Sequence, residues 1–182
     1  FTYDAVNRLT GADFNQYTSS AFNKTAGIDF SVSNLSYDAN GNILTQNQKG
    51  WKGGGSSFID QLSYSYTASS NKLLQVTDAS NDNTSKLGDF KYDAATKTAT
   101  DYNYDGNGNL TLDNNKKISS IVYNYLNLPQ TITVTGKGTI SYVYDAAGNK
   151  LQKITVDNTV SPAKTTVTTY IGGFVYEASS PV

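Results

Sequence analysis

The stretch Tyr144-Asp145-Ala146-Ala147-Gly148-Asn149-Lys150-Leu151 has the residue order of a hairpin turn between two β-strands. Asp145 is suited to open a type I turn, because its carboxylate can accept hydrogen bonds from backbone amides two residues further on. Gly148 can adopt the positive φ that closes a three-residue loop with a bulge. Tyr144 and Leu151 are side chains that pack well on strands. The stretch therefore predicts a tight antiparallel hairpin.

The same order of residues recurs along the chain, which makes it a repeat. Full copies lie at Tyr37-Asp38-Ala39-Asn40-Gly41-Asn42-Ile43 and at Tyr104-Asp105-Gly106-Asn107-Gly108-Asn109-Leu110, and Tyr3-Asp4-Ala5-Val6-Asn7-Arg8-Leu9 is a variant with Asn7 in the glycine position. The signature residues are Tyr3, Asp4, Tyr37, Asp38, Gly41, Asn42, Tyr104, Asp105, Gly108, Asn109, Tyr144, Asp145, Gly148 and Asn149. A supersecondary unit repeated with loose spacing predicts a stacked, quasi-linear β architecture.

The composition favours strands and turns and excludes several classes of function. Met is absent, whereas the chain has 14 Tyr. Such a composition suits strands better than helices. The formal net charge is −1 and 16% of the residues are charged, which argues against binding to nucleic acid or to an anionic membrane, since both require clustered Lys and Arg. No apolar run approaches the length of a membrane span, so no membrane insertion is expected in this piece.

We expect a single β domain over 1–182, an elongated and curved antiparallel sheet of consecutive hairpins, with the best-formed repeats at 102–177. The glycine-rich run Lys49-Gly50-Trp51-Lys52-Gly53-Gly54-Gly55 predicts a mobile loop at about 50–57. The chain begins within a copy of the repeat and without Met, and Ser179-Ser180-Pro181-Val182 has the composition of a frayed end. We therefore expect it to be a piece of a longer protein.

The Tyr-Asp pair, followed two or three residues later by Gly-Asn and a hydrophobic residue, resembles the YD repeat of the Rhs family. Segments 121–129 and 170–177 resemble stretches found late in the repeat region of Rhs-like proteins of the Bacteroidetes type. In that family the repeats form a long β-sheet that spirals into a hollow shell. The shell encloses a C-terminal effector in bacterial polymorphic toxins and belongs to an adhesion ectodomain in the animal teneurins.

The resemblance implies a structural segment of a secreted or bacterial cell-surface protein. Its partners would be the remainder of the parent chain and a C-terminal effector domain. The family's C-terminal core and a toxin domain are not present in this sequence, so the resemblance implies a part of the shell without self-cleavage or toxicity. Because excised sheet edges invite pairing, we also expect self-association of this piece with a second copy.

The sequence offers little for catalysis or for metal binding. It has no His and no Cys, so the usual general bases and thiol nucleophiles are missing. Asp29, Asp60 and Asp113 lie outside the repeat turns, and nothing in their spacing joins them. We expect no catalytic residue and no cofactor.

A calcium site at Asp105-Gly106-Asn107-Gly108-Asn109 is disfavoured by its spacing. An EF-hand loop requires Gly at its sixth position and Glu at its twelfth. Those positions here are Leu110 and Lys116, so we interpret the stretch as a turn and expect no metal.

Trp51 supports an alternative function, a cell-surface carbohydrate-binding or adhesion module. Aromatic faces can stack on the apolar faces of sugar rings, and Trp51 lies in a glycine-rich run where no core is expected. Tyrosines at a spacing of two residues, in contrast, are typical of cross-strand packing. Under this alternative the partners would be cell-surface glycans.

Overall fold

The computed structural model describes residues 1–180, and all of the regular elements in that range are β-strands. All strand pairs are antiparallel. The predicted all-β fold of consecutive antiparallel hairpins is therefore confirmed. The chain forms two compact units, Phe1–Ala99 and a second that begins at Thr100, where the sequence led us to expect one domain. Pro181 and Val182, part of the tail predicted to fray, lie outside the described residues.

The first unit contains eight strands in three sheets. The strands are β1 (Thr2–Tyr3), β2 (Leu9–Gly11), β3 (Gln16–Thr18), β4 (Ala21–Asn23), β5 (Val32–Tyr37), β6 (Ile43–Lys52), β7 (Gly55–Tyr66) and β8 (Leu73–Asp78). β1 pairs with β2, β3 pairs with β4, and β5 to β8 form a four-stranded sheet in sequence order. Ala12 and Val32 exchange two backbone hydrogen bonds of 2.8 and 2.9 Å, which join the first hairpin to β5.

The small hydrophobic core of the first unit lies on β7 and β8. Among the described residues, the buried hydrophobic side chains are Ile59, Leu62 and Val76. Asp60 and Asp78 are buried beside them on the same two strands.

The segment 50–57, predicted as a mobile loop, is instead a strand–turn–strand. Gly50 pairs with Ser57, and β6 and β7 continue to the pair Lys52–Gly55. Gly53 and Gly54 form the two-residue turn with φ values of 62° and 105°, as turns that match the twist of a hairpin require. Glycine at position 50 leaves room for the Ile59 side chain, because a Cβ there would lie 2.8 Å from Ile59 Cδ1.

The second unit is a single eight-stranded sheet. Its strands are β9 (Tyr102–Tyr104), β10 (Leu110–Asp113), β11 (Ile118–Tyr123), β12 (Pro129–Val134), β13 (Gly138–Tyr144), β14 (Lys150–Asp157), β15 (Lys164–Ile171) and β16 (Phe174–Ser180). They follow sequence order, so β9 and β16 are the two edges. Within the described part of this unit, strands contact only their sequence neighbours, and the sheet is therefore one layer thick.

Candidate functional site: the repeat corners

Six turns are closed by a backbone hydrogen bond from the first residue to the last, and we call them corners; five of them span five residues, and the one at 67–72 spans six. They are corner 1 (4–8), corner 2 (38–42), corner 3 (67–72), corner 4 (105–109), corner 5 (124–128) and corner 6 (145–149). In each corner the amide of the first residue donates to the carbonyl of the last residue, at 2.9 or 3.0 Å. Corners 1 to 3 lie in the first unit and corners 4 to 6 in the second.

Corner 6 shows how the repeat chemistry makes the turn. Asp145 Oδ1 accepts hydrogen bonds from the amides of Ala147 (2.9 Å) and Asn149 (2.8 Å). The amide of Gly148 donates to the Asp145 carbonyl at 3.1 Å, and Gly148 has a φ of 86°. Asn149 Nδ2 donates to Asp145 Oδ2 at 2.8 Å. Both carboxylate oxygens are therefore committed to the turn.

In corners 1, 2, 4 and 6, the side chain of the fifth residue donates a hydrogen bond to the carboxylate of the first, and we call this bond the clamp. The side-chain bonds run from Arg8 Nε to Asp4 Oδ2 (2.7 Å), from Asn42 Nδ2 to Asp38 Oδ2 (2.8 Å) and from Asn109 Nδ2 to Asp105 Oδ2 (2.9 Å). Sequence comparison of the copies identifies these positions as part of the repeat without assigning them a role. The geometry shows that the Asn of the motif satisfies the second carboxylate oxygen.

These bonds favour the ionised form of the corner carboxyls. The side-chain amide of Asn42 holds the pKa of Asp38 below its usual value, and backbone amides of the turn add to the effect. The same causes lower the pKa of Asp105 and of Asp145. At Asp4 the largest cause of the lowered pKa is the backbone amide of Arg8. The corner carboxylates are thus charged at neutral pH and serve as fixed acceptors.

Within each unit, tyrosine hydroxyls join a corner to the one before it, and we call these bonds rungs. The rungs are Tyr37 to the Leu9 carbonyl (2.7 Å), Tyr66 to Ile43 (2.8 Å), Tyr123 to Leu110 (2.8 Å) and Tyr144 to Pro129 (2.9 Å). In every case the acceptor is the first residue after the preceding corner. Of the other signature tyrosines, Tyr3 lies on β1 with 59% of its surface exposed, and Tyr104 pairs with Leu110.

Side chains also join neighbouring corners directly. Asn127 Oδ1 accepts from the Nδ2 groups of Asn107 (2.9 Å) and Asn109 (3.1 Å). In the first unit, Asn71 Oδ1 accepts in the same way from Asn40 and Asn42, at 3.1 and 2.9 Å. The amide bridge thus recurs in both units, which makes it a property of the repeat.

Trp51 lies on β6 beside the hairpin turn, with 42% of its surface exposed. It lines a cleft of about 270 Å³ together with Phe30, Gln48 and Leu87. The sequence placed this residue in a loop, whereas the structure holds it on a paired strand.

Asp29 lies in a cleft of about 390 Å³ in the first unit. The hydroxyl of Ser31 and the ammonium group of Lys49, whose Nζ is 2.9 Å from Asp29 Oδ2, hold the pKa of Asp29 well below its usual value. Lys24 forms an ion pair with Asp13, and its Nζ lies 3.9 Å from Asp29 Oδ2. The two carboxylates, of Asp13 and Asp29, are balanced by the two ammonium groups, of Lys24 and Lys49. This is the arrangement of an ion-pair network, and Lys49 connects it to β6.

Asp60 and Asp113, the other two acidic residues that the sequence analysis singled out, lie in different units. Burial raises the pKa of Asp60, and the charge of Asp78 adds to the effect; Asp60 Oδ1 accepts from the Phe90 amide at 2.7 Å. Burial also raises the pKa of Asp113.

Within residues 1–180, no three acidic side chains are grouped so that they could hold a metal ion. The same range contains no helix with the length and apolar character needed to cross a bilayer.

Crystal structures that are similar to this chain include those of TcdB2-TccC3 and of TcdB2-TccC3-TEV. The sequence identities are 15% and 13%, and the TM-scores are 0.42 and 0.37. Each match covers 98% of this chain but only 11% and 12% of the respective solved chains, so this chain spans little more than a tenth of their length. No protein-family model matches the sequence, and no curated protein does.

Proposed function

We propose that this chain is a non-catalytic structural segment of a large secreted or cell-surface protein of the Rhs/YD-repeat type, related to the Bacteroidetes branch. Its hairpins would form part of a β-shell that encloses or carries a C-terminal effector domain. The observation that carries this proposal is the repetition of the same corner in both units, with tyrosine rungs joining the corners within each unit.

The distribution of chemistry along the chain supports a scaffold. The signature Asp residues have their carboxylates bonded within their own turns, as in the pair Asp145–Asn149. The signature tyrosines that form rungs, such as Tyr144, use their hydroxyls to fix the next hairpin. A catalytic site needs polar groups that point towards a substrate. Here the repeated Asp carboxylates bond within their own turns, and the repeated Tyr hydroxyls connect hairpins.

The edges of the eight-stranded sheet are where this segment would continue into the rest of the shell. β16 carries Phe174, Val175 and Tyr176 with exposed fractions of 68%, 63% and 58%. An unpaired edge with exposed apolar side chains is a template for a further strand. In the parent protein that strand would come from the remainder of the chain, and in isolation from a second copy.

Protease protection in the longer parent protein tests the shell. We expect a domain downstream of this segment to resist protease at low temperature and to become sensitive when the shell loosens. The double variant Tyr123→Phe/Tyr144→Phe, which removes two rungs, should lower the temperature of that transition. Tyr125→Phe is the matched control, because Tyr125 is 82% exposed. A downstream domain digested equally fast with and without the shell segment would refute the proposal.

The alternative proposal is a cell-surface carbohydrate-binding or adhesion module centred on Trp51. The cleft beside this side chain, with the Gln48 amide in its wall, supports it. A glycan array distinguishes the two functions, because such a module would bind saturably and lose the signal in Trp51→Ala. A structural segment would show no saturable glycan binding, and Trp51→Ala would not change its signal on the array.

A further inference from the structure

Two of the corners contain an asparagine followed directly by a glycine. These pairs are Asn40-Gly41 in corner 2 and Asn107-Gly108 in corner 4, and the sequence has no other Asn-Gly pair. Both asparagines are exposed. Because glycine has no Cβ, its backbone nitrogen is unhindered and can attack the side-chain amide carbon of the residue before it. Both corners therefore carry, side by side, the nucleophile and the electrophile of a reaction within the chain.

The reaction is the deamidation of asparagine, and water is its only co-reactant. The glycine nitrogen forms a bond to Cγ of the asparagine, the Cγ–Nδ2 bond breaks, and ammonia leaves with the proton of the glycine amide. The product is a cyclic imide. Water then opens the ring at one of its two carbonyls. The result is either aspartate or isoaspartate, in which the main chain runs through the former side chain.

Corner 4 holds both reacting groups in other hydrogen bonds. The amide of Gly108 donates to the Asp105 carbonyl at 3.1 Å. Asn107 Nδ2 donates to Asn127 Oδ1 of corner 5 at 2.9 Å, and this amide bridge holds the side chain that must rotate to bring Cγ onto the nitrogen. An intramolecular attack needs the two reacting atoms close together and aligned. The folded corner therefore opposes the reaction through both bonds.

Corner 2 repeats this arrangement in the first unit. The amide of Gly41 donates to the Asp38 carbonyl at 3.1 Å, and Asn40 Nδ2 donates to Asn71 Oδ1 of corner 3 at 3.1 Å. Each Asn-Gly pair of the chain thus has its asparagine bridged to the next corner. Corner 6 has Ala147 at the same position, and alanine has no side-chain amide to lose.

Asn127 occupies a position where the turn itself would favour glycine. Its φ is 58°, in the left-handed region, and the equivalent residues of corners 2, 4 and 6 are all glycines. A Cβ in this region carries a conformational cost that glycine avoids. The Asn127 side chain offsets this cost, because its Oδ1 accepts from both Asn107 and Asn109. Asparagine at this position is therefore explained by the amide bridge.

We propose that Asn40 and Asn107 are deamidation sites and that the amide bridges are locks that set the rate of the reaction. Modification at Asn107 breaks the connection to corner 5. Aspartate there has no N–H to donate to Asn127 Oδ1, and it adds a negative charge close in sequence to Asp105. Isoaspartate adds a methylene to the main chain of the corner and so disturbs the register of the hairpin. The inference goes beyond the scaffold function.

Peptide mapping by mass spectrometry, after incubation at mildly alkaline pH, measures the reaction at both sites of one molecule. Asn127→Gly removes the bridge of corner 4 and keeps a residue that suits the left-handed φ, so the corner stays folded. We expect Asn107 to deamidate about fivefold faster in this variant, the effect of losing one hydrogen bond of about 1 kcal/mol. The rate at Asn40 in the same molecule is the control and should not change. Asn71→Ala should produce the opposite pattern, with a faster reaction at Asn40 alone.

The chain denatured in guanidinium chloride gives the rate without any lock, and it should deamidate faster at both sites than the folded chain. Equal rates in the folded and the denatured chain overturn the proposal. An unchanged rate at Asn107 in Asn127→Gly overturns it as well. If that variant reacts faster at both sites, general loosening is the cause and the local lock is refuted. None of these results affects the protease test of the shell, which reports on the downstream domain.

Discussion

The hydroxyl of Tyr144 donates a hydrogen bond of 2.9 Å to the carbonyl oxygen of Pro129, the residue that follows the preceding corner. Tyr123 makes the equivalent bond to Leu110 at 2.8 Å. Each bond ties a side chain of one hairpin to the backbone of the hairpin before it. The rungs therefore connect successive corners in addition to the strand ladders.

Removing one rung should destabilise the second unit. Tyr123→Phe and Tyr144→Phe each delete one hydroxyl and leave a part-buried carbonyl with one partner fewer, so we expect a loss of about 1 kcal/mol for each. Urea unfolding followed by circular dichroism measures it. Tyr125→Phe removes an exposed hydroxyl and should change nothing. Equal stabilities for all three variants would show that the rungs contribute no net energy.

Gly148 should tolerate alanine poorly. Its φ of 86° is in the left-handed region, which costs a residue with a Cβ about 1–2 kcal/mol. A Cβ there would also lie 3.2 Å from Leu128 Cδ1. Gly106→Ala in corner 4 is the control: its φ is outside the left-handed region and nothing lies within 4 Å of the added Cβ. We expect Tm to fall in Gly148→Ala and to stay nearly constant in Gly106→Ala; the reverse order would contradict the turn geometry.

The corner carboxylates should make the fold acid-sensitive. The pKa of Asp145 is lowered in the folded chain from the usual 3.8, so its stabilising contribution is present above the unfolded pKa and is lost as pH falls through the folded pKa. The same sign applies to Asp38 and Asp105. We expect Tm to be flat between about pH 7 and pH 5 and to fall below about pH 4. Asp145→Asn should reduce Tm at pH 7 and make the acid decline shallower; an unchanged decline would exclude this carboxylate as a cause.

Asp60→Asn should stabilise the first unit at neutral pH. Burial raises the pKa of Asp60, so the native state penalises the charged form, and the penalty develops as pH rises from the unfolded pKa through the folded one. Asparagine keeps the acceptor for the Phe90 amide, which is 2.7 Å from Asp60 Oδ1. Thermal melts should show a gain at pH 7 that disappears in acid. Asp13→Asn is the control. The pKa of the Asp13 carboxyl is lowered, so this variant should show no gain in Tm at pH 7.

The edge strand β16 should govern self-association. We expect the average mass measured by light scattering to rise with concentration and Val175→Lys to suppress the rise, because an edge lysine opposes strand addition. Val160→Lys is the matched control, since Val160 is exposed in the connection between β14 and β15. A monomeric mass for the unmodified chain at high concentration would contradict the expectation.

The hairpins could be predicted from the sequence because their cause is local. An Asp followed three residues later by Gly specifies a turn without information from the rest of the chain, as at Asp145 and Gly148. The density of glycine around Gly53 and Gly54 predicts a flexible loop, and this prediction is wrong. Gly-Gly is also a two-residue turn signal, and Gly50 is needed where Ile59 packs.

The contacts between repeats could not be predicted. The bond from Tyr37 to Leu9 joins residues 28 positions apart, and only the stacking of hairpins brings them together. The burial of Asp60 likewise depends on neighbours outside its own strand. The role of Asn42 as a clamp was within reach, because an Asn four residues after an Asp recurs in three copies.

The order of the strands in the second unit means that the sheet could be widened by one hairpin at a time. Since β9 to β16 touch only their neighbours along the chain, an in-frame duplication that encodes one hairpin would add two strands, about 9–10 Å of extra width. No residue elsewhere would need a compensating change, provided that the inserted copy carried its own tyrosine and turn. The width of such a sheet can therefore change in steps of one hairpin.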